Sequence, residues 1–220
     1  MELSLIQNIA VIALPLIFAI TLHEVAHGWV ASWCGDQTAR LSGRLSLNPI
    51  RHIDPVGTII LPLIFLLMNS NFIFGWAKPV PVDSRNMRNP RFNMAMVSLA
   101  GPAANLLMAI IWGFIGRLSE LMVIKGNVWF GTPLQLMSQY GVLINIVLAA
   151  LNCLPIPPLD GGHFLSNILP PRIAYHYSKI EPYGFFILIA LILSGLLNTI
   201  LLPAIYVLVK FVSVIVNFSF

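Results

Sequence analysis

Five apolar runs, at residues 3–22, 56–74, 97–115, 137–154 and 183–218, constrain this chain more than any other feature. Each is close to or beyond the roughly 20 residues that a helix needs to cross a bilayer. Hydrophobic residues make up 58% of the 220 and charged ones only 9%, against about a quarter charged in soluble domains. A soluble core of this size cannot hide that much apolar side chain, so the chain reads as a polytopic membrane protein. Its net charge of +4 is too small to point to nucleic acid; what matters is where Lys and Arg sit along the chain. Met1 and Glu2 bring no basic residue ahead of the first run, and no small-x-small site closes it, so no removable signal peptide is expected. Cys34 and Cys153 stand at unrelated spacing and read as small apolar fillers.

The last run is too long for one crossing. Asn198 and Pro203 are expected to divide it, with Lys210 in the second part. Residues 35–55 are polar and carry Gly43, Pro49 and Pro55; within them, 39–47 roughly alternates apolar and polar residues, which predicts a short strand pair. Residues 76–93, with Pro79, Pro81 and Pro90, read as loop or strand. The expected fold is an all-α polytopic membrane protein. Three core helices and small membrane-associated β elements would occupy residues 1–170, and one or two C-terminal helices residues 171–220.

The sharpest chemical signal is His23-Glu24-Val25-Ala26-His27. Residues four apart in a helix lie within about 40° of each other on one face. Two imidazoles so placed can reach one zinc ion, and the Glu beside the first can act as general base toward water. The motif follows an uninterrupted apolar run, where ionisable groups are costly and usually functional.

A catalytic zinc takes a third protein ligand and keeps one position open. The chain has only eight acids and five histidines from which to draw it. Asp160 stands out at the end of Asn152-Cys153-Leu154-Pro155-Ile156-Pro157-Pro158-Leu159-Asp160-Gly161-Gly162. Prolines and glycines there let the backbone turn away from a regular helix and aim the acid into a bundle. On spacing alone, a helix-end Asp in water explains the pattern equally well.

HEVAH on the first helix, with an N-x-x-P-x-x-P-L-D-G-G stretch more than a hundred residues later, closely resembles the site-2 protease family of intramembrane zinc metalloproteases. Gly101-Pro102-Ala103-Ala104-Asn105 is similar to that family's GPxxN element, and the three motifs fall in the family's order over roughly residues 1–170. The resemblance implies Zn2+ held by His23, His27 and Asp160, with Glu24 as catalytic acid/base. It places Asn152, and on weaker grounds Asn105, at the substrate. It implies the short form of the family, without a PDZ or CBS domain, acting in a cell membrane on membrane-protein substrates with a transmembrane helix. The alternative from the residues is a divalent-metal-handling transporter, in which Glu24 would be a ligand or relay.

The remaining polar residues read more plainly. His163 is expected at an interface, His52 and Asp54 in loop hydrogen bonds, and His176 in an interfacial belt beside Tyr175 and Tyr177. Asn105 and Asn145 have the alternative of bonding helix to helix within the membrane.

The ligand set also constrains topology. Zinc–ligand bonds are about 2 Å, so the ends of the first and fourth runs must share one membrane depth. If every run between them crossed, Asp160 would emerge opposite His27. Run 56–74, with Pro62 and Asn69-Ser70-Asn71, is the expected exception, a re-entrant segment. One side then collects Arg40, Arg44, Arg51, Lys78, Arg85, Arg88, Arg91, Arg172 and Lys179, and the other only Arg117 and Lys125. By the positive-inside rule the ligand side is cytoplasmic.

Overall fold

The computed structural model describes residues 5–60, Ile64 and 77–217. Its long helices are α1 (Leu5–Trp33), α3 (Pro90–Ile124), α4 (Val128–Asn152) and α8 (Leu196–Val216); the short helix α2 (Thr38–Leu41) follows α1. The helices α5 (Asp160–Ile168), α6 (Pro171–Ser178) and α7 (Gly184–Leu193) lie between α4 and α8. Among the described residues, four helices are long and apolar enough to cross a membrane: Ala10–Trp33, Pro90–Ile124, Val128–Asn152 and Leu196–Val216. The protein is an all-helical, multi-pass membrane protein.

α1, α3 and α4 pack on one another, with α5 laid against α3 and α8 against α3 and α4. Small residues let the helices approach. The Trp112 ring lies over Gly141, and Ala109, Trp112, Val142, Ile146, Val212 and Val216 close a core shared by α3, α4 and α8. A smaller cluster of Ala31, Met87 and Val97 ties the end of α1 to the start of α3. α3 therefore runs back from the end of α1, and α4 returns parallel to α1.

Two expectations are corrected. No strand occurs among the described residues, and 39–47 is not a strand pair. The Asp36 carboxylate accepts from Thr38 N–H at 3.1 Å and starts α2. Gly43, at φ +66°, then ends it: Gly43 N–H donates to Arg40 O and Arg44 N–H to Ala39 O, a Schellman closure. Local hydrogen bonds thus satisfy the backbone that a strand would have left open. In the last run the break falls at Ser194-Gly195, where Gly195 adopts φ +73°, while Asn198 and Pro203 both lie inside α8. α7 has 10 residues, about half the length needed to span, so of the two C-terminal helices only α8 is long enough to cross.

Residues 77–83 form neither helix nor strand, and the prolines at 79 and 81 favour extended backbone at Lys78 and Val80 before them. Lys78 N–H donates to His52 O at 2.9 Å, and Arg44 Nη2 donates to Lys78 O at 2.7 Å, strapping the segment across α1. Of run 56–74, Pro55–Ile60 forms a π-helical turn that carries its start; apart from Ile64, residues 61–74 lie outside the described residues.

Candidate metal centre

His23 and His27 lie one turn apart on α1, Nε2 to Nε2 3.1 Å. Asp160, the first residue of α5, meets both, with Oδ2 3.2 Å from His23 Nε2 and Oδ1 3.4 Å from His27 Nε2. Ligand bonds of about 2.0–2.2 Å at a tetrahedral angle place neighbouring ligand atoms roughly 3.3–3.6 Å apart. The two Nε2 atoms and the two carboxylate oxygens, in contacts of 3.1 to 3.4 Å, come close to the spacing that one zinc ion would impose.

The outer face of each histidine shows what the inner face presents. His27 Nδ1 lies 2.7 Å from the carbonyl oxygen of Val97, which can only accept, so Nδ1 carries the proton. His23 Nδ1 lies 2.6 Å from Asn105 Oδ1, also an acceptor. A neutral imidazole protonated at Nδ1 has only a lone pair at Nε2. Asp160 Oδ2 is buried with no hydrogen-bond partner. Three lone-pair atoms facing one another at this range repel unless a proton or a cation sits among them, and two nitrogens with a carboxylate suit zinc.

α3 makes room for this cluster. A Cβ built on Gly101 would stand 2.5 Å from His23 Cε1 and 2.7 Å from His23 Nε2, so only glycine lets α3 come so close. Pro102, inside the same helix, has no N–H to give to Ser98 O; one residue earlier, Val97 O is met by His27 Nδ1. Glu24 follows His23 and accepts a hydrogen bond from the Val80 N–H at 2.9 Å through Oε2.

The other expected site residues are placed differently. Asn105 is fully buried, its Nδ2 donating to Ala19 O at 3.2 Å and to Asn145 Oδ1 at 3.0 Å. Held at both ends, it serves His23 and offers a substrate no polar atom. Asn152, the last residue of α4, gives its Nδ2 to Leu148 O at 3.0 Å. His52 lies buried against Ser46 O, and Asp54 accepts from the N–H groups of Val56 and Gly57. Cys153 is free, its thiol pushed up by burial and then by the Asp160 charge. Sequence reasoning missed Val97 and Val80, which act through backbone atoms and leave no trace in residue type. Gly101 did leave one, since it opens the GPxxN stretch.

Membrane helices enclosing a His-His-Asp cluster beside a glutamate define a class, the membrane metalloproteases. Comparison with known proteins gives the family. The model of peptidase family M50 matches residues 117–195. YwhC of Bacillus subtilis (strain 168), named as a zinc metalloprotease, is 38% identical over 192 residues, covering 87% of this chain and 84% of that one. Rip2 of Mycobacterium tuberculosis (strain ATCC 25618 / H37Rv), also named as a zinc metalloprotease, is 31% identical over 180 residues, covering 82% and 65%. RseP of Salmonella typhimurium (strain 14028s / SGSC 2262), named as the regulator of sigma-E protease, is 27% identical over 165 residues, covering 72% and 36%. No solved structure matches the chain. The chain belongs to peptidase family M50, the site-2 protease family, and is a zinc metalloprotease. These relatives do not favour the transporter alternative.

Proposed function

We propose that the chain is an intramembrane endopeptidase that hydrolyses peptide bonds in or near transmembrane segments of membrane-protein substrates. His23, His27 and Asp160 would hold the zinc, and Glu24 would be the acid/base. The observation that carries this reading is the convergence of three lone-pair atoms whose protons are directed elsewhere, beside a glutamate on the same helical turn.

Bound zinc would supply a Lewis acid and lower the pKa of water there toward ~7. Glu24 takes a proton from the attacking water and later gives it to the leaving amine. The Val80 N–H holds one carboxylate oxygen, so the other would be the one to take the proton. A substrate helix must unwind first, because its carbonyls are already hydrogen-bonded. The segment 77–83 has the N–H groups of Lys78, Val80 and Asp83 already bonded within the chain, so an unwound substrate strand beside it would have to use its remaining main-chain groups, such as the Val80 carbonyl and the Val82 N–H. Asn152 at the end of α4 would lie along the substrate path.

Residues 1–170 would form the protease core and 171–220 its C-terminal membrane segment. The chain leaves α1 and enters α3 at one place: Arg88 N–H donates to Cys34 O at 3.4 Å, and Asp83 N–H to Asp36 Oδ2 at 2.7 Å. This supports a re-entrant run 56–74. The cluster of Arg and Lys near that point supports a cytoplasmic active site in a cell membrane.

The test is zinc content beside cleavage of a model transmembrane substrate, for wild type and Glu24→Gln. Retained zinc with lost cleavage is expected. Cleavage by Glu24→Gln at the wild-type rate would remove Glu24 from the mechanism, and a metal-free wild type would remove the site.

A further inference from the structure

One directional chain of hydrogen bonds runs from α4 to the metal cluster. Asn145 Nδ2 donates to Gly141 O at 2.8 Å, Asn105 Nδ2 donates to Asn145 Oδ1 at 3.0 Å, and His23 Nδ1 donates to Asn105 Oδ1 at 2.6 Å. Both asparagines are fully buried, so water cannot substitute for any link. The order of the links is fixed from its far end. A backbone carbonyl only accepts, so Asn145 must turn its NH2 toward Gly141 and its oxygen toward Asn105. Asn105 must then turn its NH2 toward Asn145, which leaves its oxygen for His23. The Ala19 carbonyl, 3.2 Å from Asn105 Nδ2, pulls in the same sense.

The tautomer of His23 follows. With the Asn105 oxygen at Nδ1 the ring proton sits there, and Nε2 keeps the lone pair that faces His27 and Asp160. If Asn105 presented its NH2 instead, Nδ1 would have to accept, and the neutral ring would carry its proton at Nε2, where it blocks ligation.

We propose that Asn145 is a positioning residue for the metal centre: through Asn105 it keeps His23 in the tautomer whose Nε2 can bind the cation. Asn145 touches neither a ligand of the cluster nor Glu24. The inference rests on His23 being a zinc ligand, and it goes beyond that assignment by giving a role to a residue on a different helix. A helix-packing role for Asn145 would need only its volume; the relay needs its polarity in one order.

Two variants of equal shape separate these roles. In Asn145→Thr, the hydroxyl can donate to Gly141 O one turn back and accept from Asn105; Asn145→Val has no hydroxyl. Zinc affinity of the full chain in detergent, measured by chelator competition, should fall about tenfold for Asn145→Val, the low end for residues behind a ligand. Asn145→Thr should stay within about twofold of wild type. Histidine 15N shifts of the metal-free wild type at alkaline pH should show His23 protonated at Nδ1. Equal zinc affinity for the Thr and Val variants, or a wild-type His23 protonated at Nε2, would overturn the proposal while leaving the ligand assignment intact. A wild type that binds no zinc overturns both.

Discussion

The backbone N–H of Val80 reaches the Glu24 carboxylate at 2.9 Å, joining residues 56 apart in sequence. Glu24 is thereby held by a segment that is itself fixed just before Val80, with Arg44 on Lys78 O and Pro79 O. Val80→Pro deletes this donor, and the φ of proline suits the extended backbone that Pro81 favours at Val80. The expected result is unchanged zinc content with kcat lowered about tenfold, a fraction of the 10²–10⁴ that a positioned general base contributes. A drop confined to KM, or no drop at all, would show that Glu24 does not depend on the strap.

Gly101 is the point at which α3 meets both histidine rings. Gly101→Ala puts a methyl group against His23, and the helix or the rings must move. Overpacking of this kind costs roughly 1–3 kcal/mol. Zinc affinity should fall by about 10-fold or more, as for other changes behind metal ligands. Chelator competition measures it, and a thermal melt of the metal-free protein distinguishes a shifted site from a protein that fails to fold.

Much of this was legible in residue types. The long apolar helices follow from hydropathy, and the pairing of His23 with His27 follows from a spacing of four. Asp160 was reached through its resemblance to the family motif, because on spacing alone the prolines before it say only that the helix stops; in the fold it lies beside both histidines. The alternation at 39–47 misled because the Asp36 carboxylate bonded to Thr38 N–H and a glycine at positive φ outcompete a strand that has no partner beside it. Asn198 and Pro203 misled as helix breakers because apolar neighbours keep α8 continuous, while Gly195 takes the left-handed turn that separates α7 from α8. Backbone partners such as Val97 O were out of reach, since any residue type supplies a carbonyl.

Asp36 gives a pH dependence. It is fully buried at the end of α1 and accepts hydrogen bonds from Thr38, Asn86 and the Asp83 N–H. Burial raises its carboxyl, and those hydrogen bonds outweigh burial and lower it. A depressed folded-state pKa stabilises above the unfolded value of about 3.9 and loses that contribution as pH falls through the folded one. Melting temperatures in detergent should therefore favour wild type over Asp36→Asn at neutral pH, with the gap shrinking only below about pH 4. A gap that closes nearer pH 6 would assign the effect to another group.

Because Arg88 N–H meets Cys34 O and Asn86 Nδ2 meets Asp36 Oδ1, the chain between α1 and α3 returns to the place it left. Single cysteines at Arg40→Cys and Arg85→Cys, both exposed positions, should then label from one face of the membrane. Lys125→Cys, at the far end of α3, should label from the other. The wild-type Cys34 and Cys153 must be replaced first, since both are free. By the positive-inside rule, the proposed cytoplasmic face is the one that carries positions 40 and 85. Labelling of 40 and 85 from opposite faces would mean that the chain between them crosses once, and the re-entrant reading of residues 56–74 would fall. Labelling of both from the outer face would keep the re-entrant segment but reverse the orientation, placing the metal centre away from the cytoplasm.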